Sequence, residues 1–171
     1  DLFKGMFGLK ILLLGRNRLG NNLTLNLNES SNLEVLDLAF NNISHLPHNL
    51  LSNLTSLKEV NLTGNHIAVF NLSLENLNNL TLLNLSHNDI RTIEPQILAD
   101  LANRPTKLTL DLKGNMLSCK CGTIQFMAWL QSDHVDISNR ALVTCMDSNK
   151  GVYTLDTFDV NAHKRRCFPH I

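Results

Sequence analysis

The chain has 171 residues with 15 basic and 15 acidic side chains, so its formal net charge is zero. A neutral chain of this size suits one domain, or one domain plus a cap, and excludes a bulk electrostatic pull toward nucleic acid. The longest unbroken aliphatic run, Ile11 to Leu14, is far short of a membrane span, and no secretory leader is visible at Asp1, so the chain reads as a mature or truncated form.

Asp1 to Gly8 is not a clean beginning. Phe3 and Met6 fall where a preceding repeat would place inward residues on its convex side, and no cysteine cluster comes before the first strand. An uncapped coil exposes its hydrophobic edge, so this start predicts the C-terminal part of a longer array. The first repeat follows as Leu9, Leu12, Leu14, Asn17 and Leu19. The clearest copy is Leu33, Leu36, Leu38, Asn41 and Ile43. Two more follow: Leu57, Val60, Leu62, Asn65 and Ile67, then Leu80, Leu83, Leu85, Asn88 and Ile90. A worn copy, Leu110, Leu112, Asn115 and Leu117, has Lys107 in place of its first leucine. The first leucines of the four good copies are 24, 24 and 23 residues apart. A period near 24 with L-x-x-L-x-L-x-x-N is the leucine-rich-repeat signature. It predicts an α/β solenoid: a right-handed coil with a parallel sheet on its concave face.

Leucines two apart share one face of a short strand, so Leu36 and Leu38 should both point into the coil. The ladder residues Asn17, Asn41, Asn65, Asn88 and Asn115 should lie inside the turn. There a carboxamide, with two donors and an acceptor oxygen, can satisfy backbone groups that the turn leaves unpaired. Further apolar positions, Leu46, Leu51 and Leu54, then Ile93, Leu98 and Leu101, belong to the return half of the coil. Asn22 replaces an expected leucine, and a shift brings Leu23 in its stead. Pro95 and Pro105 predict loops and short helical turns on the convex side.

Cysteine use begins abruptly after Leu117. Cys119 and Cys121 form C-x-C, followed by Cys145 and Cys167. Four extracellular cysteines suggest two bridges, and pairing Cys119 with Cys121 would close a strained ring, which leaves two arrangements. Zinc is the rival use, but C-x-C spacing fits structural zinc motifs poorly. The segment Thr123 to Leu130 has helical spacing, with Phe126, Trp129 and Leu130 on one side, and can cover the last coil. The division expected is 1–117 for the repeats and 118–171 for the C-terminal cap.

The cap C-x-C…C…C, with the run Met127-Ala-Trp129-Leu130 through Asn139-Arg140 to Thr144-Cys145, resembles the caps of Toll-like receptor ectodomains. The resemblance covers nearly the whole chain. It implies pairing of Cys119 with Cys145 and of Cys121 with Cys167. It also implies an innate immune receptor segment that recognises a protein or microbial ligand and forms a homo- or heterodimer through its C-terminal lateral surface. Such a segment lies on the extracellular side of a plasma or endosomal membrane, in a chain anchored beyond its end. Similar caps occur in variable lymphocyte receptors and platelet-adhesion glycoproteins, so the alternative is a cell-surface adhesion or matrix protein, or an antigen binder.

Asn-x-Ser/Thr triplets at Asn22, Asn28, Asn42, Asn53, Asn61, Asn71, Asn79 and Asn84 point to the secretory pathway. Asn61 and Asn84 occupy the same concave position in successive repeats, in a column with Leu13, Asp37 and Asp111. A glycan on at least one of them is expected, and it would obstruct the middle of the concave face. No triplet occurs after Ser86, which leaves the last repeats and the cap bare. His66 and His87, near strand ends of adjacent repeats, are candidates for a pH-sensitive contact. The cluster His163-Lys164-Arg165-Arg166 reads as a solvated cap loop and lacks the interleaved aromatics of a nucleic-acid site. There is no G-x-S-x-G, no phosphate-binding glycine loop and no H-E-x-x-H, so neither an enzyme nor a cofactor is expected.

Overall fold

A computed structural model describes residues 3, 5–21, 25, 27 and 30–169. Five short strands come from the repeats: β1 (Ile11–Leu13), β2 (Val35–Asp37), β3 (Glu59–Asn61), β4 (Leu82–Asn84) and β5 (Leu108–Asp111). They pair in parallel with Leu12, Leu36, Val60, Leu83 and Leu110 in one register row. That row is buried, as are Leu38, Leu62, Leu85 and Leu112. Alternation along each strand does the sorting: the central residue enters the coil and its neighbours face out. The chain is thus a leucine-rich-repeat solenoid whose core is one continuous stack of side chains.

The worn repeat is repaired by its neighbour. Lys107 is exposed and pairs with Asp136 at 2.7 Å, while Leu108 turns inward and is buried. Phe3 joins the core, but Met6 is 45% exposed, against the inward position expected of it. On the convex side Leu46, Leu51, Leu54, Ile93, Leu98 and Leu101 are buried. One helix lies there, α1 (Pro95–Ala102), with proline in its first turn, where a missing N–H costs nothing. Asn22, Leu23 and Asn28 lie outside the described residues.

The asparagines stitch coil to coil. Asn65 donates from Nδ2 to the Leu38 carbonyl at 3.0 Å and to the Leu62 carbonyl at 2.9 Å. Its Oδ1 accepts from the backbone N–H of Asn41 and of Ile43, both at 3.0 Å. Asn88 joins the carbonyls of Leu62 and Leu85 and accepts from Ile67. Asn115 joins Leu85 and Leu112 and accepts from Ile90. Asn41 reaches the Leu14 carbonyl and accepts from Leu19. These four are buried. Asn17 departs from the expected interior placement: it is exposed and bonds only locally, to the carbonyls of Leu14 and Gly15. Its coil begins the described stack, with Leu9, Leu14 and Leu19 only half-buried.

The residue before each ladder asparagine is left-handed: Arg16, Phe40, Gly64, His87 and Gly114 have φ of 59°, 54°, 67°, 52° and 75°. The side chains of Arg16, Phe40 and His87 lie over the next coil. The Arg16 guanidinium sits 4.7 Å from the centroid of the Phe40 ring. The Phe40 ring in turn covers Gly64, where an added Cβ would meet ring carbons at 2.3 Å.

The C-terminal part adds β6 (Met116–Ser118), α2 (Ile124–Leu130), β7 (Val135–Ser138), β8 (Thr144–Met146), β9 (Val152–Thr154) and α3 (Val160–Cys167). β7 pairs in parallel with β5 and continues the main sheet, whose order is β1-β2-β3-β4-β5-β7. A second sheet, β6-β8-β9, stands apart from it. The inward stripe of α2 is Ile124, Phe126, Met127 and Leu130; Trp129 is half-buried, not part of the fully covered face expected of it.

Two pairs of substitutions test this account. Gly64→Ala should cost about 1–3 kcal/mol in urea unfolding, from left-handed strain and collision with Phe40, while Gly122→Ala, with no atom in its way, should be near neutral. Asn65→Leu strands at least two backbone N–H groups and should cost ~2 kcal/mol or more by the same measurement, against at most ~0.5 kcal/mol for Asn17→Leu.

Candidate functional site

Two outward rows run across the concave sheet. One contains Ile11, Val35, Glu59, Leu82, Thr109 and Asp136; the other contains Leu13, Asp37, Asn61, Asn84, Asp111 and Ser138. Ile11 and Leu13 are 57% and 67% exposed, so the first coil presents an apolar patch to solvent. Beyond it a shallow hollow of about 250 Å³ is lined by Leu13, Val35, Asp37, Glu59, Asn61, Leu82 and Asn84. Its floor is apolar and its rim is acid and amide.

The second row has a backbone job that the sequence reading did not find. The side-chain oxygen of Asp37 accepts from Ala39 N–H, that of Asn61 from Thr63, that of Asn84 from Ser86, and that of Asp111 from Lys113. Each closes a small turn as the chain leaves its strand, which is why an sp² oxygen recurs here. The signal was the Asp-or-Asn alternation in the column itself. Because Oδ1 is the atom engaged, the Nδ2 that a glycan would bond is not consumed by this turn.

Asn61 and Asn84 are half-buried on adjacent strands in direct register. Strands in such a pair are about 4.8 Å apart, so two glycans here would crowd one another. Asn42, Asn53, Asn71 and Asn79 are exposed and lie outside the strands. Asn79 Nδ2 donates to the Thr55 carbonyl at 2.9 Å.

His66 and His87 belong to neighbouring coils but to different columns, one after and one before its ladder asparagine. His66 Nδ1 is 3.6 Å from Asp89 Oδ2, both exposed, and the His87 ring lies against Gly114. At the other edge of the sheet, Glu34 receives Lys58 at 2.6 Å and Lys10 at 3.1 Å. Those two ammonium groups, Lys58 foremost, hold the Glu34 carboxyl below the ordinary carboxylate range.

In the cap, disulfides join Cys119 to Cys145 and Cys121 to Cys167. The first is buried beside β6 and β8; the second ties α3 to the turn that leads into α2. His163 packs on Phe158 with ring centroids 4.5 Å apart, and Lys164, Arg165 and Arg166 occupy the last turn of α3. Among the described residues no three His, Cys, Asp or Glu side chains are grouped so as to hold a metal ion. Among the same residues, no helix is long and apolar enough to cross a membrane.

Arg104 was not singled out by the sequence, since it matches no repeat position. Half-buried, it donates from Nη2 to the carbonyls of Leu77 and Leu80 and so pins the longer return loop to the preceding coil. Burial holds its guanidinium pKa below the usual value.

The Leucine Rich Repeat family model matches residues 32–54 and 79–101. The chain is 32% identical to human Toll-like receptor 5 over 126 residues, which is 71% of this chain and 14% of that receptor. Human 5T4 (Wnt-activated inhibitory factor 1, trophoblast glycoprotein) superimposes with a TM-score of 0.69 at 24% identity, over 80% of this chain and 48% of that one. The mouse RP105/MD-1 complex contains a chain matched with a TM-score of 0.61 at 27% identity, over 74% of this chain and 20% of that one. The chain therefore spans only a minor part of these relatives' lengths.

The Glu34 network gives a pH prediction. Its folded pKa is depressed, so its stabilising contribution is present above the unfolded pKa and lost as pH falls through the folded one. Glu34→Gln should lower the thermal midpoint slightly at neutral pH, and the gap from the parent should close on acidification, as followed by circular dichroism melts.

Proposed function

We propose that this leucine-rich-repeat chain, homologous to Toll-like receptors and of non-enzymatic receptor type, is an extracellular recognition and dimerisation segment of a Toll-like innate immune receptor. The observation that carries the reading is the alignment with Toll-like receptor 5 over most of this chain, together with a cap tied by two bridges. In this reading residues 1–117 are the repeats of a longer array and 118–171 are its cap. The segment sits on the outer side of a plasma or endosomal membrane, in a chain anchored beyond it. Its partner is a protein or microbial ligand that bridges two receptors. The RP105/MD-1 likeness supports a protein partner, because that related chain is found in a complex.

The placement of the glycosylation triplets supports a lateral interface. All eight triplets precede His87, and the exposed Met116, 47% accessible, stands in the bare region that follows. Sugar at Asn61 or Asn84 keeps a bulky ligand off the centre of the concave sheet and turns recognition toward the flanks. A second reading is a cell-surface adhesion or matrix module, because the repeat fold by itself, which 5T4 shares, does not specify a signalling receptor. The coding sequence past Ile171 separates the two: a membrane helix with a signalling domain supports the receptor, and its absence the alternative.

Two measurements test the proposal. In secreted protein, peptide mass spectrometry should find N-glycan on Asn61, on Asn84 or on both, and lose it in the Asn61→Gln/Asn84→Gln variant; bare asparagine at both positions would leave the concave centre open. In the full-length chain, Met116→Asn creates a glycan acceptor with Leu117 and Ser118. Ligand-driven pairing should fall at least ~10-fold with surface expression retained. Undiminished pairing in a variant shown to carry the new sugar places the interface elsewhere.

A further inference from the structure

The two disulfides live in opposite surroundings. Cys119 and Cys145 are 0% and 1% exposed, walled by core side chains. Cys121 is exposed and Cys167 half-buried. Both line a small hollow of about 140 Å³, which the fully buried Cys119 borders only from beneath, and whose ionisable side chains are Lys120, His163, Arg166 and Asp147. The one carboxylate, Asp147, is fixed in place by three neutral donors. Asp147 accepts from Gly151 N–H at 2.7 Å, from Asn149 N–H at 2.9 Å and from the Tyr153 hydroxyl at 3.2 Å. Lys120 and Arg166 outnumber that single carboxylate, so an approaching anion meets a net positive lining.

We propose that the Cys121–Cys167 bridge is a site of thiol–disulfide exchange for a small thiol that carries carboxylates, a glutathione-like peptide, while Cys119–Cys145 stays closed. The attacking species is a thiolate, and exchange requires access to a bridge sulfur and stabilisation of the thiolate that leaves. The hollow supplies both. Thiolate attack on the Cys121 sulfur forms a mixed disulfide there, breaks the Cys121–Cys167 bond and expels Cys167 as a thiolate. That thiolate forms next to Arg166 and one helical turn from His163, which is the spacing at which helix side chains meet. A second equivalent of thiol attacks the mixed disulfide, releases the oxidised thiol dimer and leaves Cys121 reduced. Two thiols are oxidised and one protein disulfide is reduced, so the electrons balance.

Opening this bridge releases a cross-link between residues 46 apart without dismantling the cap. Val160 remains buried, Phe158 keeps its contact with His163, and Gln131 still donates to the carbonyls of Leu155 and Phe158. What is freed is the last turn of α3.

The test uses the oxidised, secreted protein, exposed to glutathione near neutral pH without denaturant. Free thiols are alkylated and located by peptide mass spectrometry. Cys121 and Cys167 should be labelled or glutathionylated at least ~10-fold faster than Cys119 and Cys145, with circular dichroism unchanged. Glutathione should outpace mercaptoethanol at equal thiolate concentration, and Lys120→Gln/Arg166→Gln should remove that advantage. Simultaneous opening of both bridges, earlier opening of Cys119–Cys145, or a glutathione rate no higher than that of the neutral thiol overturns the proposal.

Discussion

Each coil of this solenoid must turn sharply at the end of a strand of three or four residues, and the turn leaves backbone N–H and C=O groups facing the interior. Water does not reach them, and a leucine would fill the space while leaving them bare at roughly 1–3 kcal/mol apiece. A buried carboxamide answers both kinds of group at once. Asn65 shows the arrangement at its fullest, with two carbonyls on one side and two N–H groups on the other, drawn from two successive coils. The leucine stack supplies most of the apolar burial, but the asparagines fix how far each coil advances on the last. Strand register, and with it the alignment of the concave rows, follows from that advance.

The same constraint organises the surface. Because the residue before each asparagine is left-handed, a side chain at that position is thrown toward the next coil, and below Phe40 and His87 the next coil makes room. Gly64 makes room for Phe40, and Gly114 for His87. On the adjoining row, Asp or Asn recurs because its oxygen closes the turn that leaves the strand. Two of the asparagines there also fall in glycosylation triplets, so one position serves the backbone and offers a nitrogen for sugar. A functional assignment to Asn61 or Asn84 therefore has to be made by detecting the glycan, since the backbone alone already explains why a carboxamide stands there.

The repeat architecture was legible because its signal is periodic: the leucines recur near every 24 residues and each obeys the same inward rule. The helix α2 was visible from spacing, though its buried stripe includes Met127, which was not singled out, and excludes Trp129. What escaped was non-periodic. Arg104 acts through two distant carbonyls, which no local pattern encodes. The strand β7 is a four-residue alternation, Val135-Asp136-Ile137-Ser138, too short to be told from a loop until β5 is beside it. Leu108 shows a register shift that only burial reveals. His66 and His87 stand out as candidates for a pH-sensitive contact from their place in adjacent repeats; the Asp89 carboxylate near His66 is not visible in that pattern.

The continuation of the main sheet into β7 has a mechanical consequence. Had the cap been only a helix resting on the last coil, it could rock about the chain near Asn115. Instead four consecutive residues of β5 are laddered to β7, Lys107 grips Asp136 across the join, and Asn139 reaches back to Asp111. No hinge is left between the repeats and the base of the cap. A load applied to the flank of the last coils is therefore passed to β7 across a hydrogen-bonded ladder, as between two planks nailed along their length and not at one end.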